Sequence, residues 1–171
     1  MILLDASFLV AFFDKRTRDD RLLKMSGMLE AASKAHTRVL IPTPALTEFL
    51  AKADRATIAY HEALGMSKAV QVAAFGERAA LECAEMLGKA KSKADIKDQA
   101  ATWAKAKFDW QIIAIAKAEN ATSIYSFDGD IVRLGARFGI EVLNVDKLSI
   151  PDSKVQRPLA GLSSPAPDQS P

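Results

Sequence analysis

The chain has 171 residues, of which 49% are hydrophobic and 26% are charged, and its formal net charge is +2. This length predicts one globular domain with a sizeable core, and the small net charge argues neither for nor against a nucleic-acid partner. The single cysteine, Cys83, excludes an internal disulfide, and charged residues interrupt every apolar stretch, which excludes a membrane-spanning helix. The opening apolar run is too short for a signal peptide, so we expect a cytoplasmic protein with no membrane partner.

Asp5 stands at the end of the first predicted strand. The apolar run Ile2-Leu3-Leu4 is typical of a buried strand, and an apolar helical stretch follows Asp5 almost at once. Ligands of open parallel sheets bind beyond the carboxyl ends of the strands. Asp5 is therefore placed where such folds carry out their chemistry.

Short apolar runs and amphipathic stretches alternate along the rest of the chain. The apolar runs predict strands over residues 2–4, 39–41, 70–72, 122–126 and 141–145. The amphipathic stretches predict helices over residues 8–13, 22–35, 43–50, 53–64, 75–87, 95–119 and 131–138. This alternation predicts an α/β three-layer sandwich with a central parallel sheet of about five strands.

Two of these helices carry more specific expectations. The helix over 75–87 should carry Leu81, Ala84 and Leu87 on one face and should end before Gly88. The helix over 95–119 carries Trp103 and Trp110, which are expected in the core or at an interface and not as platforms on which bases stack. Cys83 is expected to be a small core residue.

The composition changes near the end of the chain. Five of the seven prolines lie in residues 151–171, with serines between them. Such a segment cannot bury enough apolar surface to fold. We therefore predict a folded domain over residues 1–148 and a disordered tail over residues 149–171.

Carboxylates recur at places that a parallel sheet would bring to one edge. Asp5 ends the first strand, Glu48 lies in the first turns of the helix after the second, and Asp128 and Asp130 follow the fourth. Asp109 lies on the helix that leads into the fourth strand. Clustered carboxylates repel one another. A divalent cation, Mg²⁺ or Mn²⁺, would relieve that repulsion and could activate water and stabilise charge on a phosphodiester.

Each acid also has a simpler interpretation. Asp5 could cap the next helix, and Glu48 could be a solvated acid favoured by the helix dipole. Asp109, among apolar neighbours, could pair with an Arg or Lys. Asp128-Gly129-Asp130 could be an ordinary turn. Taken together, the acids favour a metal site over these separate explanations.

Four segments together resemble the PIN domain, and more closely the VapC-type toxins of bacterial toxin–antitoxin pairs. They are LLDAS, TPALTEFL, DWQIIAIAKAENAT and SIYSFDGDI, and the resemblance covers about residues 1–148. It implies a metal-dependent ribonuclease with the strand order 3-2-1-4-5. The segment Lys89 to Ala106 and the tail are longer than in a minimal family member.

The resemblance also assigns roles to individual residues. The catalytic acids would be Asp5, Glu48, Asp109 and Asp128. Of these, Asp5, Asp109 and Asp128 would hold the Mg²⁺ or Mn²⁺ directly, and Glu48 would bind through water or orient the nucleophile. Asp130 would support a second ion or a ligand. Two hydroxyl residues would orient the carboxylates or the phosphate through hydrogen bonds, Ser7 and Ser126.

Substrate and partners follow from the resemblance in the same way. The substrate would be a structured RNA such as tRNA or rRNA, cut in a single-stranded loop, whose phosphate can reach a recessed pocket. The partners would be a cognate antitoxin protein and a second copy of the chain in a homodimer. The lysines from Lys89 to Lys107, or Arg16, Arg18 and Arg21, could contact RNA phosphates or could simply be solvated.

Other functions fit the sequence less well. No glycine-rich phosphate loop follows any predicted strand, which argues against an NTPase or a dinucleotide enzyme. An aspartyl phosphatase would need a second acid where Ser7 stands, and a receiver domain would need an acceptor aspartate after the third strand. The remaining alternatives are a non-catalytic PIN-fold module that binds RNA or protein, and a solitary RNA-processing nuclease.

Overall fold

The protein is an α/β sandwich built on five parallel strands. A computed structural model describes residues 1–53, 70–89 and 103–150. The strands lie in the order β3-β2-β1-β4-β5, and every neighbouring pair is parallel. Their bounds are β1 Ile2–Leu4, β2 Val39–Pro42, β3 Val70–Ala73, β4 Ser123–Tyr125 and β5 Glu141–Leu143. The predicted sheet and its order are confirmed.

Helices connect the strands. Those that the structure describes are α1 Ala6–Phe13, α2 Asp19–Lys34, α3 Thr43–Ala53, α4 Glu77–Lys89, α5 Trp103–Ala118 and α6 Gly129–Phe138, and a 3₁₀ turn spans Val145–Lys147. Residues 54–64 and 95–102 of the predicted helices and residues 151–171 of the predicted tail lie outside the described residues. The boundary at 148 stays a prediction. No helix in the described ranges has the length and apolar character needed to cross a membrane.

Alternate residues of the central strands point to opposite faces of the sheet and build two cores. Leu3 of β1 and Leu40 of β2 join one cluster, which includes residues of α4, α5 and α6. Their neighbours Ile2 and Leu4 join the other cluster, with residues of α1, α2 and α3. Because β1 is buried on both faces, its sequence is apolar without interruption until Asp5.

Helix α5 is deeply buried in the sandwich. Ile112 to Ala116 are all at most 1% exposed, since α5 packs against α4, α6 and α3. Trp110 is buried and meets the ring of Phe138 edge-on, with 5.3 Å between ring centroids. Of the two positions expected for Trp110, the structure thus has the core.

The face of α4 that carries Leu81, Ala84 and Leu87 is not the one that is buried. Leu81 is 67% exposed and Leu87 is 39% exposed, whereas Ala79, Cys83 and Met86 are buried. Both sets recur at helical spacing, so the sequence offers two stripes. The buried stripe places two small side chains, Ala79 and Cys83, in the core cluster that includes α5.

The end of α4 also differs from expectation. Gly88 lies inside the helix, which continues to Lys89. Gly88 does not have a positive φ angle, so it does not act as a left-handed cap. Gly139 does: it ends α6 with φ 73°.

Gly135 of α6 lies directly against β5. A Cβ atom built there would be 2.4 Å from Val142 Cγ2 and 2.9 Å from the Ile140 carbonyl oxygen. We expect Gly135→Ala to lower the free energy of unfolding by about 1 to 3 kcal/mol because α6 must move away from β5. Urea denaturation followed by circular dichroism measures this change.

Gly88→Ala is the matched control, because Gly88 is also helical but has no heavy atom within 4 Å of its would-be Cβ. Helix propensity alone should make that variant more stable by roughly 0.5 to 1 kcal/mol. Equal stability of Gly135→Ala and the wild type would contradict the close approach of α6 and β5.

Candidate active site

A cleft of about 370 Å³ opens near the carboxyl ends of β1 and β4. Five carboxylate residues are among those that line it, namely Asp5, Asp14, Glu48, Asp109 and Asp128. They come from the end of β1, the end of α1, α3, α5 and the turn after β4. The structure therefore brings together the four acids that the sequence singled out as catalytic.

Two of these acids are also helix caps. Asp5 is the N-cap of α1, and its side chain accepts a hydrogen bond from the backbone N–H of Ser7. Asp128 is the N-cap of α6, and its Oδ1 accepts from the N–H of Asp130 at 2.8 Å. The cap interpretation of Asp5 is thus correct, whereas Asp128-Gly129-Asp130 begins a helix and is not an ordinary turn. Both side chains line the cleft.

Two serines hold Asp5 in place. The hydroxyls of Ser7 and Ser126 both donate to Asp5 Oδ2, at 2.7 and 2.8 Å. Each hydroxyl also accepts a backbone N–H at 2.9 Å, from Phe127 and Asp128 respectively. Because both serine protons go to Asp5, Oδ2 is fully engaged, and Oδ1 lies outside these hydrogen bonds.

Burial makes the ionised form of Asp5 unfavourable. The residue is only 4% exposed. Loss of solvent raises the pKa of its carboxyl above the usual 3.8, and the hydrogen bonds from Ser7 and Ser126 only partly oppose that rise. An ionised Asp5 therefore carries a cost that a neighbouring cation would reduce.

Asp109 and Glu48 differ in their surroundings. Asp109 lies on α5 and is 6% exposed, so it is a buried carboxylate like Asp5. Glu48 lies on α3, and its Oε1 accepts from Lys52 Nζ at 2.7 Å, one turn further along the helix. Lys52 lines the cleft as well, so one wall already carries a compensating positive charge.

Asp130 is placed apart from the other four acids. It forms an ion pair with Arg133 on the same helix, α6, and it is not among the residues that line the cleft. Its suggested role towards a second ion stays a prediction. Asp14 is the fifth acid that lines the cleft, and the sequence did not indicate it. It forms a bidentate ion pair with Arg16.

The expected basic contacts separate into three environments. Arg21 lines the cleft, whereas Arg18 forms an exposed pair with Asp20. Arg16 lines an adjoining depression between α1 and α3, together with Phe13 and Phe49. Most of the lysine segment from Lys89 to Lys107 falls on residues 90–102, outside the described residues.

The donor atoms of the cleft suit a hard divalent cation. Carboxylate and hydroxyl oxygens are what Mg²⁺ and Mn²⁺ prefer, and Mg²⁺ is commonly held by one or two carboxylates together with waters. In the ranges that the structure describes, no group of three or more His, Cys, Asp or Glu side chains meets at ligand spacing. The residues fit such an ion by their chemistry, with water completing its coordination.

Both the sequence and the fold are similar to those of known proteins. The profile of the PIN domain family matches residues 2–137. VapC20 of Mycobacterium tuberculosis, described as a sarcin–ricin loop cleaving toxin, is 18% identical over 79% of this chain and 95% of its own, with a TM-score of 0.56. A search of curated proteins gave no significant match.

Two toxin–antitoxin complexes have similar structures. VapBC2 from Rickettsia felis, bound to a DNA fragment from its promoter, is 17% identical over 84% of this chain and 98% of the matched chain, with a TM-score of 0.60. DNA-bound VapBC from Salmonella typhimurium is 15% identical over 84% and 97%, with a TM-score of 0.54. With its sheet order, its acidic cleft and a profile match over most of its length, this chain belongs to the PIN domain family, and its fold is that of the VapC toxins.

Proposed function

We propose that this protein is a divalent-cation-dependent endoribonuclease and the toxin of a type II toxin–antitoxin pair. The observation that carries the proposal is the convergence of Asp5, Glu48, Asp109 and Asp128 on one cleft from four separate parts of the chain. Two of the four are almost fully buried. Buried carboxylates are costly unless a partner compensates their charge, and a cation in the cleft would do so.

The residues would divide the work as follows. Asp5, Asp109 and Asp128 would hold Mg²⁺ or Mn²⁺, and Glu48 would contact it through water or orient the attacking water. When bound, the ion would activate that water and neutralise charge on the phosphodiester. Ser7 and Ser126 would keep Asp5 ionised and oriented, because both hydroxyls donate to its Oδ2.

The substrate class rests on the shape of the cleft and on a structural neighbour. VapC20 is described as cleaving the sarcin–ricin loop. For this chain we propose a structured RNA, tRNA or rRNA, cut in a single-stranded loop. A loop can direct one phosphate into a recessed acidic cleft, whereas the backbone of a stacked duplex is harder to bring there.

The proposed partners are an antitoxin and a second copy of the chain. Two structural neighbours are VapBC complexes, which supports an antitoxin as the regulator of this nuclease. An antitoxin arginine that entered the cleft would neutralise the same carboxylates. A neighbouring gene for a small DNA-binding protein would separate a toxin from a solitary RNA-processing nuclease.

Replacement of Asp5 tests the catalytic proposal. We expect Asp5→Asn to reduce RNA cleavage roughly a hundredfold or more, because an amide is a poor ligand for a hard cation. Its melting temperature in EDTA should be unchanged or higher, because the buried charge is gone. The rise in melting temperature that Mg²⁺ produces in the wild type should be lost.

Asp20→Asn is the control, because Asp20 is an exposed acid of α2 paired with Arg18. It should cleave RNA and respond to Mg²⁺ as the wild type does. Wild-type cleavage by Asp5→Asn would exclude the catalytic assignment. No cleavage and no Mg²⁺ response in the wild type would favour the non-catalytic RNA- or protein-binding module.

The raised pKa of Asp5 predicts a pH dependence of stability in metal-free buffer. The folded chain keeps the Asp5 proton to higher pH than the unfolded chain, whose carboxyl titrates near 3.8. As pH rises from below 3.8 through the higher folded pKa, the free energy of unfolding of the wild type should fall relative to Asp5→Asn, and then level off. Urea unfolding in EDTA at a series of pH values measures the difference. A difference that stays constant across this range would mean that burial does not penalise the carboxylate.

Ser126 has its own expected effect. Ser126→Ala removes one of the two hydroxyls on Asp5 Oδ2, so Mg²⁺ affinity and cleavage should fall about tenfold to a hundredfold. Ser123→Ala in β4, the strand that Ser126 follows, is the control, because Ser123 is buried but takes no part in the hydrogen bonds to the Asp5 side chain described above. Equal losses in both variants would indicate a general effect on β4 rather than on Asp5.

A further inference from the structure

Arg21 is the residue of the cleft that the preceding roles leave unexplained. It lies in the first turn of α2, and its side chain is 33% exposed. It lines the same cleft as Asp5, Asp109 and Asp128. None of the ion pairs seen among residues 1–53, 70–89 and 103–150 joins its guanidinium to a carboxylate of the cleft.

The guanidinium is fixed from outside the cleft. Arg21 Nε and Nη2 donate to the two carboxylate oxygens of Asp146 at 2.8 and 2.7 Å. Asp146 belongs to the 3₁₀ turn after β5, and its carbonyl oxygen accepts from Lys24 Nζ at 2.7 Å. The Asp146 carboxylate thus holds the guanidinium in a bidentate arrangement, and Lys24 adds a third hydrogen bond between the same two elements.

An aromatic ring supports the same group from a second direction. The guanidinium carbon of Arg21 lies 4.6 Å from the ring centroid of Phe127. Phe127 stands between Ser126 and Asp128, and it also lines the cleft. In the described residues Nη1 donates no hydrogen bond, so the edge formed by Nη1 and Nη2 still has donors for a ligand.

The net charge of the cleft indicates what the Nη1–Nη2 edge of Arg21 could bind. Five carboxylates and two cations, Lys52 and Arg21, are among the residues that line the cleft. A cleft with such an excess of negative charge attracts a divalent ion but repels the RNA backbone. Both cations are paired, but their partners differ. Lys52 is paired with Glu48, which is itself an acid of the cleft, whereas Arg21 is paired with Asp146, which is not among the residues that line the cleft. Arg21 is therefore the cation whose charge is not matched by a cleft carboxylate.

We propose that Arg21 binds the phosphate of the RNA strand next to the one that is cut, with its guanidinium held for this contact by Asp146 and Phe127. The proposal rests on the nuclease function above and adds to it a residue that positions the substrate. Arginine suits this role because its planar fork can bond Asp146 along one edge and a phosphate along the other.

The test measures RNA binding and catalysis separately. Binding of a fluorescent single-stranded oligouridylate to a cleavage-deficient Asp109→Asn protein is titrated at several low salt concentrations. Adding Arg21→Gln should weaken binding about tenfold, because one charge-assisted contact is lost. The slope of log affinity against log salt should become shallower by about 0.7, the value for one phosphate contact on a single strand.

Arg18→Gln is the matched control. Arg18 lies three residues earlier and makes the same kind of fork with an aspartate, Asp20, but it does not line the cleft. Its loss should leave binding within about twofold, as expected for a solvated surface pair. Equal weakening by Arg18→Gln and Arg21→Gln would mean that only general surface charge matters, and would overturn the proposal.

Asp146→Asn separates a held guanidinium from simple electrostatics. The substitution makes the protein more positive, so charge alone would tighten RNA binding. The proposal predicts weaker binding, because the amide cannot accept both donors of Arg21. Binding that becomes tighter would overturn the role assigned to Asp146.

Kinetics in the protein with Asp109 intact complete the test. Arg21→Gln should raise KM about tenfold and change kcat much less, because it removes uniform binding of the strand. Its Mg²⁺-induced rise in melting temperature should match the wild type. Loss of that rise in Arg21→Gln alone would show that Arg21 acts through Phe127 on Asp128, and would overturn the phosphate contact. Loss of the rise in the wild type as well would instead count against the nuclease function itself.

Discussion

The arrangement of the cleft depends on one buried carboxylate at the end of the central strand. Asp5 is 4% exposed and receives both serine hydroxyls on a single oxygen, Oδ2. Those hydroxyls in turn accept the backbone N–H groups of Phe127 and Asp128. The start of α1 and the end of β4 are therefore joined through this one side chain. Hydroxyl donors orient a carboxylate but do not neutralise its charge. A cation in the cleft would do so.

Sheet topology explains why the cleft forms where it does. Strand β1 lies in the middle of the sheet. The chain adds β2 and β3 on one side of it and β4 and β5 on the other. The helices after β1 and β4 thus begin beside each other on opposite sides of the sheet, which leaves a crevice at this switch point. Asp5 and Ser126, 121 positions apart in the chain, are in hydrogen-bond contact there. This contact requires β1 and β4 to be neighbours in the sheet, as they are.

The charges around the cleft are arranged in two zones. The buried acids Asp5 and Asp109 lie where solvent cannot screen them. The cations lie nearer the surface and are held by acids of their own, Lys52 by Glu48 and Arg21 by Asp146. The buried carboxylates suit a divalent cation, and the cations nearer the surface suit the phosphates of an RNA strand. The same residues, if they served stability alone, would contribute little as exposed pairs and would cost energy as buried acids.

The sequence by itself determined the strands, their alternation with helices and the four acids that meet in the cleft. These could be predicted because apolar periodicity and strand-end carboxylates are local patterns, and the motifs that resemble the PIN domain lie on them. Only the tertiary structure decided which of two apolar stripes α4 buries, because Ala79 and Cys83 face α5 while Leu81 and Leu87 do not. It likewise paired Asp130 with Arg133, added Asp14 to the cleft and brought Arg21 to Asp146. Those outcomes depend on which elements become neighbours in space. Arg21 and Asp146 are far apart in the sequence, and no local sequence pattern indicates that they are in contact.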